Sequence, residues 1–464
     1  MFYNIKKIAL LLCLHGWVSI FYAQQAFTIQ EAINYGLQNH FSVKRNKLNI
    51  ADSDASLKEY KAIGMPKLNA KIGYNYFIDL PTQIIPNFIS PVIYQTLVAY
   101  QVIPSTTPAP PEGQGIPAQF GTNNSLNGSL EASMLLFDGS YFVGLQALKL
   151  AKTLTAEQAV LNQDSIKMNI KKAYLAVLAL DKAREFLSKN IDNLDLTTKQ
   201  LKEIYKNGFA ENLDIERLEL TMQNLKTEDD KMALTRELLL NVLKFQMNYP
   251  LNQEIVLKEQ FDPIYYDVTS REGELLDKYN VESRKEYKML TTLEELQTLN
   301  IKRYKYSYYP TVVGFASHSQ NLQRNQLFNS DEPGFFRTTA VGLNVTASIF
   351  DGYDRKMKIQ RASIAKENVQ LNKSIFLTAT TLEAANANIQ YQNTKQTIEA
   401  RKKSLDMAEK IFATTKIKFR EGVGSSLELT TAERDVYAAQ AAYINALYDL
   451  IVARVDWEKA MGRL

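Results

Sequence analysis

The chain has 464 residues, 54 basic and 50 acidic side chains, three histidines, one cysteine and a formal charge of +4. That length holds about three ordinary domains. The small net charge, without any dense Lys/Arg run, offers no basic patch for nucleic acid.

At the N-terminus Lys6 and Lys7 precede an apolar run, Ile8 to Leu14, that continues through Trp17, Val18 and Ile20 to Ala23. This is the form of a secretory signal over residues 1–23, and it is short for a membrane span. Cleavage after Ala23 puts bulky Phe21 at the −3 position. Leu12 before Cys13 argues against lipid attachment there. Loss of the segment removes two lysines, no acid, His15 and the only cysteine, leaving 52 basic against 50 acidic residues. An exported chain then keeps His40 and His318 and no thiol, which excludes disulfides, Cys-ligated metals and thiol nucleophiles. No later run reaches about 18 apolar residues, so no second helical span is expected.

A first repeat is expected over residues 24–248, opening with a helix. From about 67 to 80 the period becomes two: Leu68, Ala70, Ile72, Tyr74, Tyr76 and Ile78 alternate with Lys67, Asn69, Lys71, Gly73 and Asn75. Residues 81–118 hold eight of the 13 prolines and read as an exposed irregular loop. A second strand follows at about 124–137. Its apolar face is Leu126, Leu130, Ala132, Met134 and Leu136, opposite Ser125, Asn127, Ser129, Glu131 and Ser133. It closes on Phe137-Asp138-Gly139.

A helical hairpin is expected over 139–248. Residues 145–207 contain neither glycine nor proline, and those 63 residues could form a helix about 95 Å long. Ile166, Ile170, Ala173, Val177 and Leu178 fall at helical spacing, as do Leu187, Ile191 and Leu194. The stretch turns at "YKNGFAENLDIERLEL", from Tyr205 through Gly208 to Asp214 and beyond. Residues 249–278 read as an equatorial linker.

The second repeat, 279–464, has the same plan. After a helix come a weaker strand at about 311–321, where Val313 and Phe315 alternate with small residues, and a clear one at about 336–350. The clear strand sets Val341, Leu343, Val345, Ala347 and Ile349 opposite Thr338, Asn344, Thr346 and Ser348. It closes on Phe350-Asp351-Gly352, 213 positions after Phe137. Residues 353–421, another 69 without glycine or proline, begin a second helical hairpin over 352–461. Its face is thinner and rich in alanine: Ala384, Ala385 and Ala387. Its turn reads "FREGVGSSLELTTAER" from Phe419, with Gly422 lying 214 positions after Gly208. One large unit is thus built twice.

The alternating runs exceed the usual strand of 5–6 residues and suffice for tilted spans of a bilayer. Tyr74, Tyr76, Tyr304, Tyr306, Tyr308 and Tyr309 cluster at strand ends like an interfacial girdle. Four strands cannot close a barrel, and an open edge in lipid leaves backbone groups unpaired. Three copies would give twelve strands around a wet lumen, lined by Lys71, Asn75, Asn127, Glu131, Asn344 and Thr346.

Taken together, "FTIQEAINYGLQNHFSVK", "GMPKLNAKIGYNY", "YYPTVVGFASHSQ", "LFDG", "IFDG" and the two Tyr/Phe-x-x-Gly turns resemble the TolC-like outer-membrane channel family. The resemblance implies a mostly α fold with a transmembrane β part. In a homotrimer it forms a shared 12-stranded β-barrel and a long α-helical barrel that reaches into the periplasm. It implies an exit duct without cofactors, working with a periplasmic adaptor and an inner-membrane pump, proton-driven or ABC, in tripartite efflux or type I secretion. It also places Tyr205, Gly208, Asp214, Phe419, Gly422 and Glu428 at the periplasmic tip, with the two acids in a charged ring.

From the residues themselves, "SSLE" (Ser425 to Glu428) reads as a capping box. Asp214 is favoured near a helix start. Where family members often carry a further acid and an arginine stand Thr431 and Gly424, and Phe419 lacks a hydroxyl. A hydrogen-bonded latch at the second turn is therefore not expected. A soluble periplasmic coiled-coil adaptor or scaffold would account for the helices but not for the strands. Enzymatic chemistry finds no constellation: His40 and His318 stand alone, and "GVGSS" lacks the lysine of a phosphate loop.

Overall fold

The computed structural model describes residues 25–86, 89–109, 115–208, 210–261, 279–328 and 334–463. The signal segment, Phe209 of the first turn and residues 262–278 of the linker lie outside the described residues.

The first half contains β1 (Gln25–Phe27), α1 (Ile29–Asn39), α2 (Phe41–Ala62), β2 (Lys67–Tyr76), β3 (Thr82–Pro86), α3 (Ile89–Ala99), β4 (Gly115–Gln119) and β5 (Asn124–Phe137). The helices α4 (Gly139–Lys206) and α5 (Asn212–Met247) complete it. Then follow β6 (Ile255–Leu257), α6 (Lys285–Tyr306), β7 (Thr311–Arg324), β8 (Phe336–Thr346), α7 (Asp354–Arg420) and α8 (Ser426–Ala460). With 68 and 67 residues, α4 and α7 are each about 100 Å long.

Two compact units draw on both sequence halves: Met1–Ala55, Lys149–Thr298 and Ile364–Leu464 in one, Ser56–Leu148 and Leu299–Ser363 in the other. Neither repeat is a unit by itself: both halves contribute helices to the core of one unit and strands to the sheet of the other.

In the helical unit, Thr28 and Glu31 form a reciprocal capping box at the start of α1, and β1 pairs in parallel with β6. The core joins Ile170, Tyr174 and Leu175 of α4, Leu243 and Met247 of α5, Tyr391 and Ile398 of α7, and Leu450, Ile451 and Val455 of α8. The Tyr174 hydroxyl donates to the Phe27 carbonyl at 2.8 Å, and burial pushes its phenol up to about 12. Ile166, Val177, Leu178, Leu187 and Leu194 are buried as their spacing predicts. Of the alanine face of α7, Ala384 is buried but Ala385 is exposed, so the contact stripe is narrower than the composition indicates.

A seam with a seven-residue period runs along α8: Ser426, Glu433, Gln440, Leu447 and Arg454 are all buried, flanked by Leu429, Val436, Leu450 and Trp457. Polar layers of this kind need partners. Gln440 has one in Asn190, 2.6 Å away, whereas Glu433 Oε2 has none among the described residues.

In the other unit the strands form one antiparallel sheet in the order β2-β5-β7-β8. The two expected hairpins, β2/β5 and β7/β8, are joined by β5/β7. Strand ends follow partners rather than apolar runs. Strand β8 stops at Thr346, not near 350, because its partner begins at Thr311 after Pro310. Strand β2 stops at Tyr76, opposite Asn124, and β7 runs on to Arg324 for the same reason.

The proline-rich stretch is not wholly irregular. It carries the antiparallel pair β3/β4 and the helix α3. Two of its prolines sit where a missing N–H costs little. Pro86 ends β3, and Pro91 lies in the first turn of α3.

Candidate functional site

The sheet register assigns faces, since directly opposite residues share one. One row reads Lys71, Ser129, Ser319, Thr338, and the next Asn69, Glu131, Ser317, Ala340. Asn75, Asn127, Asn344 and Thr346 share this face by parity with those rows. It therefore holds all six residues expected to line a lumen, and Lys71 Nζ donates to Glu131 Oε2 at 3.1 Å. Contrary to the strand's own alternation, Val313 and Phe315 also stand on this face, opposite Asn344 and Gly342. Small residues on both sides left the β7 pattern ambiguous, and pairing with β5 and β8 decides it.

The opposite face carries the rows Leu68, Ala132, Ala316, Val341 and Met134, Gly314, Leu343. Among the described residues most of it is uncovered: Leu68 is 73%, Ile72 85%, Val341 80% and Leu343 65% exposed, while Leu322 toward the upper end of β7 is buried. On β2 the apolar residues run up to Tyr76. On β8 they lie lower, from Val341 to Val345, and are continued beyond the strand by exposed Ile349. The apolar band thus crosses the rows diagonally, as inclined strands require. Ten residues of β2 span about 33 Å at ~3.3 Å each, or about 25 Å in height at a ~40° tilt. Tyr74 and Tyr76 mark one end of the band, and Tyr304, Tyr306, Tyr308 and Tyr309 lie beside the start of β7 at the other.

Below the sheet, the two Phe-Asp-Gly stops do different work. The Asp138 carboxylate caps α4, accepting from the Tyr141 N–H (3.0 Å), Ser140 Oγ (2.6 Å) and Thr311 Oγ1 (3.1 Å). Burial opposes its charge, but these hydrogen bonds outweigh it and hold the carboxyl below its ordinary range. Gly139 is required by close approach: a Cβ there would meet the Tyr306 carbonyl oxygen at 2.8 Å.

At the second stop Gly352 has open space around it and a φ of 63°, so it is required by backbone conformation. Asp351 accepts from Arg355 Nε at 2.5 Å, which lowers its pKa. Arg355 also donates to the Ser307 and Ser348 carbonyls and lies 4.3 Å from the Tyr308 ring centroid. No sequence signal had pointed to Arg355.

In the helical unit the two turns end their helices with left-handed glycines, Gly208 (φ 80°) and Gly422 (φ 76°). Their N–H groups donate to the carbonyls of Tyr205 (2.9 Å) and Phe419 (3.1 Å), and Val423 donates back to Lys418 (3.0 Å), a Schellman closure. A Cβ on Gly424 would crowd the Phe419 nitrogen at 3.0 Å, so this tight turn has no room for a side chain there. Ser425 Oγ accepts from the Glu428 N–H at 3.1 Å, the serine half of the capping box, and Glu428 itself is exposed.

Phe419 packs on Leu194, Leu201, Ile215 and Leu218. A polar link nevertheless exists: Ser426 Oγ donates to Asp214 Oδ1, and Asp214 also lies 3.7 Å from Arg217. The link the second turn was expected to lack is thus supplied by a helix-start serine rather than by the aromatic. A cleft of about 720 Å³ lined by Glu211, Asp214, Arg217, Phe419, Glu421 and Ser425 opens beside it.

Residues 300–463 match the family described as Outer membrane efflux protein. The first half joins them through the fold. VceC, an outer membrane protein of Vibrio cholerae, superposes with a TM-score of 0.67 at 15% identity, covering 94% of this chain and 96% of that one. The outer membrane channel CmeC of Campylobacter jejuni gives 0.66 at 16% identity over 94% and 85%. The open-state channel MtrE of Neisseria gonorrhoeae gives 0.65 at 15% over 94% and 88%.

The chain shares the fold of these outer-membrane channels. No curated protein matches the chain by sequence.

Proposed function

We propose that the chain is one protomer of an outer-membrane exit duct for efflux. Three copies would close a twelve-stranded barrel and continue it as a helical tube into the periplasm. One observation carries this reading: a four-stranded sheet whose outer edges have no partner strand among the described residues and whose apolar face is largely bare. In water that face would aggregate. In lipid it is satisfied, but the edges of β2 and β8 then need partners, because unpaired backbone in hydrocarbon costs several kcal/mol per group. Identical neighbours supply them. Two copies would give a filled eight-stranded barrel; three leave a lumen for the polar face.

The match of residues 300–463 to the Outer membrane efflux protein family supports efflux over protein secretion. In that setting Tyr205, Gly208, Asp214, Phe419, Gly422 and Glu428 lie at the periplasmic mouth, where an adaptor and an inner-membrane pump would dock. The stops at Asp138, Gly139, Asp351 and Gly352 turn strand into helix at the periplasmic surface of the outer membrane. A soluble scaffold leaves Leu68, Ile72, Val341 and Leu343 in water and is not favoured.

Mass measurement of detergent-extracted protein together with planar-bilayer recording tests the proposal. A trimer that conducts ions and resists alkaline carbonate extraction is expected. A monomer released by carbonate, without conductance, would overturn it.

A further inference from the structure

On the apolar face of the sheet, besides Asn124, which accepts from the Tyr74 hydroxyl, polar groups collect toward the β7–β8 corner. His318 Nδ1 lies 2.8 Å from Thr339 Oγ1. The next row pairs Gln320 with Arg337, and Arg324 follows on the same face at the end of β7. Every formally charged side chain on this face is basic. The only acid in the four strands, Glu131, belongs to the opposite face. Arg337 is exposed, and exposed Phe328 and Phe335 stand in the adjoining β7–β8 connection.

The diagonal course of the apolar band gives this corner its meaning. On β8 the band ends at Val341, so Thr339 and Arg337 lie just beyond it, at the end remote from the Phe-Asp-Gly stops. An arginine pointing toward hydrocarbon is costly at mid-depth and tolerated only at the interface, where anions are available.

We infer that this corner binds the phosphate of a lipid head group in the outward-facing leaflet. Arg337 carries the charge contact, Arg324 and Gln320 assist, and the acyl chains lie along Val341, Leu343 and Ala316. A lipid rather than free phosphate is the occupant. Arg337 and Gln320 are exposed, and the apolar rows that continue directly from them are what hold the chains. The inference rests on the membrane-spanning reading proposed above.

Native mass spectrometry of the detergent-extracted assembly tests it, with lipid A and the same lipid stripped of its phosphates as probes. Wild type is expected to retain the phosphorylated form preferentially. Arg337→Gln should lower retention about fivefold, Arg324→Gln should add to the loss, and Arg337→Lys should preserve most of it. Equal retention of the two lipids, or retention unaffected by Arg337→Gln, overturns the inference. Channel conductance read on the same samples separates the two proposals: conducting wild type without phosphate preference sinks only the lipid site, whereas absence of channels sinks the duct.

Discussion

Ser426 donates a hydrogen bond to the carboxylate of Asp214, 212 positions earlier in the chain. Each residue stands in the first turn of the helix that follows its glycine turn, so the bond ties the ends of the two helical hairpins together. Beneath it, Phe419 packs against the leucines of the first hairpin.

Loss of this bond should loosen the mouth. Ser426→Ala removes the donor while Arg217 still faces Asp214, costing about 1 kcal/mol. In planar-bilayer recordings the variant is expected to open about fivefold more readily than wild type. Unchanged gating would show that the bond has no share in closure.

The two acids should contribute unequally to ion selectivity. Asp214 is occupied by Ser426 and Arg217, whereas the Glu428 carboxylate is exposed. Reversal potentials in a salt gradient are expected to show a greater loss of cation preference for Glu428→Gln than for Asp214→Asn. The reverse order would place Asp214, not Glu428, on the ion path.

The glycines of the two stops should respond differently to substitution. At Gly352 only φ is demanding, so Gly352→Ala should cost about 1 kcal/mol and Gly352→Asn less. At Gly139 a methyl group meets the Tyr306 carbonyl oxygen, and the backbone must shift. Thermal unfolding midpoints should fall further for Gly139→Ala than for Gly352→Ala, and asparagine should rescue only at position 352.

Stability should depend on pH in opposite senses at two carboxyls. Burial raises the pKa of Glu433, against partial relief from Tyr437 and the Lys416 charge, so the folded state holds its proton more tightly than the unfolded chain. Its penalty therefore appears as pH rises above the unfolded value of 4.5 and grows until the folded pKa is passed. Glu433→Gln should stabilise the protein at neutral pH, with the gain vanishing below about pH 4. Asp138 is held down by its hydrogen bonds, so its contribution is present above its ordinary value of 3.8 and is lost as pH falls through the lowered one. Asp138→Asn should therefore destabilise at neutral pH and converge with wild type in acid. Urea midpoints measured between pH 3 and 8 check both.

Much of the fold was legible because its signals are local. Helix breakers are missing from 145–207 and 353–421, and the observed helices Gly139–Lys206 and Asp354–Arg420 occupy those windows. The β5 alternation gave both its bounds and its faces. Other features were not legible. Val313 and Phe315 lie on the polar face because β7 takes its register from β5 and β8. The apolar run to Phe350 outlasts its strand because β7 offers no partner beyond Thr311.

From the amino-acid order alone came the double repeat, the lengths of the helices, the turn glycines and the amphipathic strands, since each depends on residues within a few turns of one another. Tertiary structure alone decided that Gly139 is held by contact and Gly352 by conformation. It likewise decided that Ser426 reaches Asp214, that Arg355 braces the second stop, and that Glu433 is sealed without a partner for Oε2 among the described residues. The reason is physical: burial, register and hydrogen-bond partners come from segments often more than a hundred positions away, and no local pattern encodes which segment arrives.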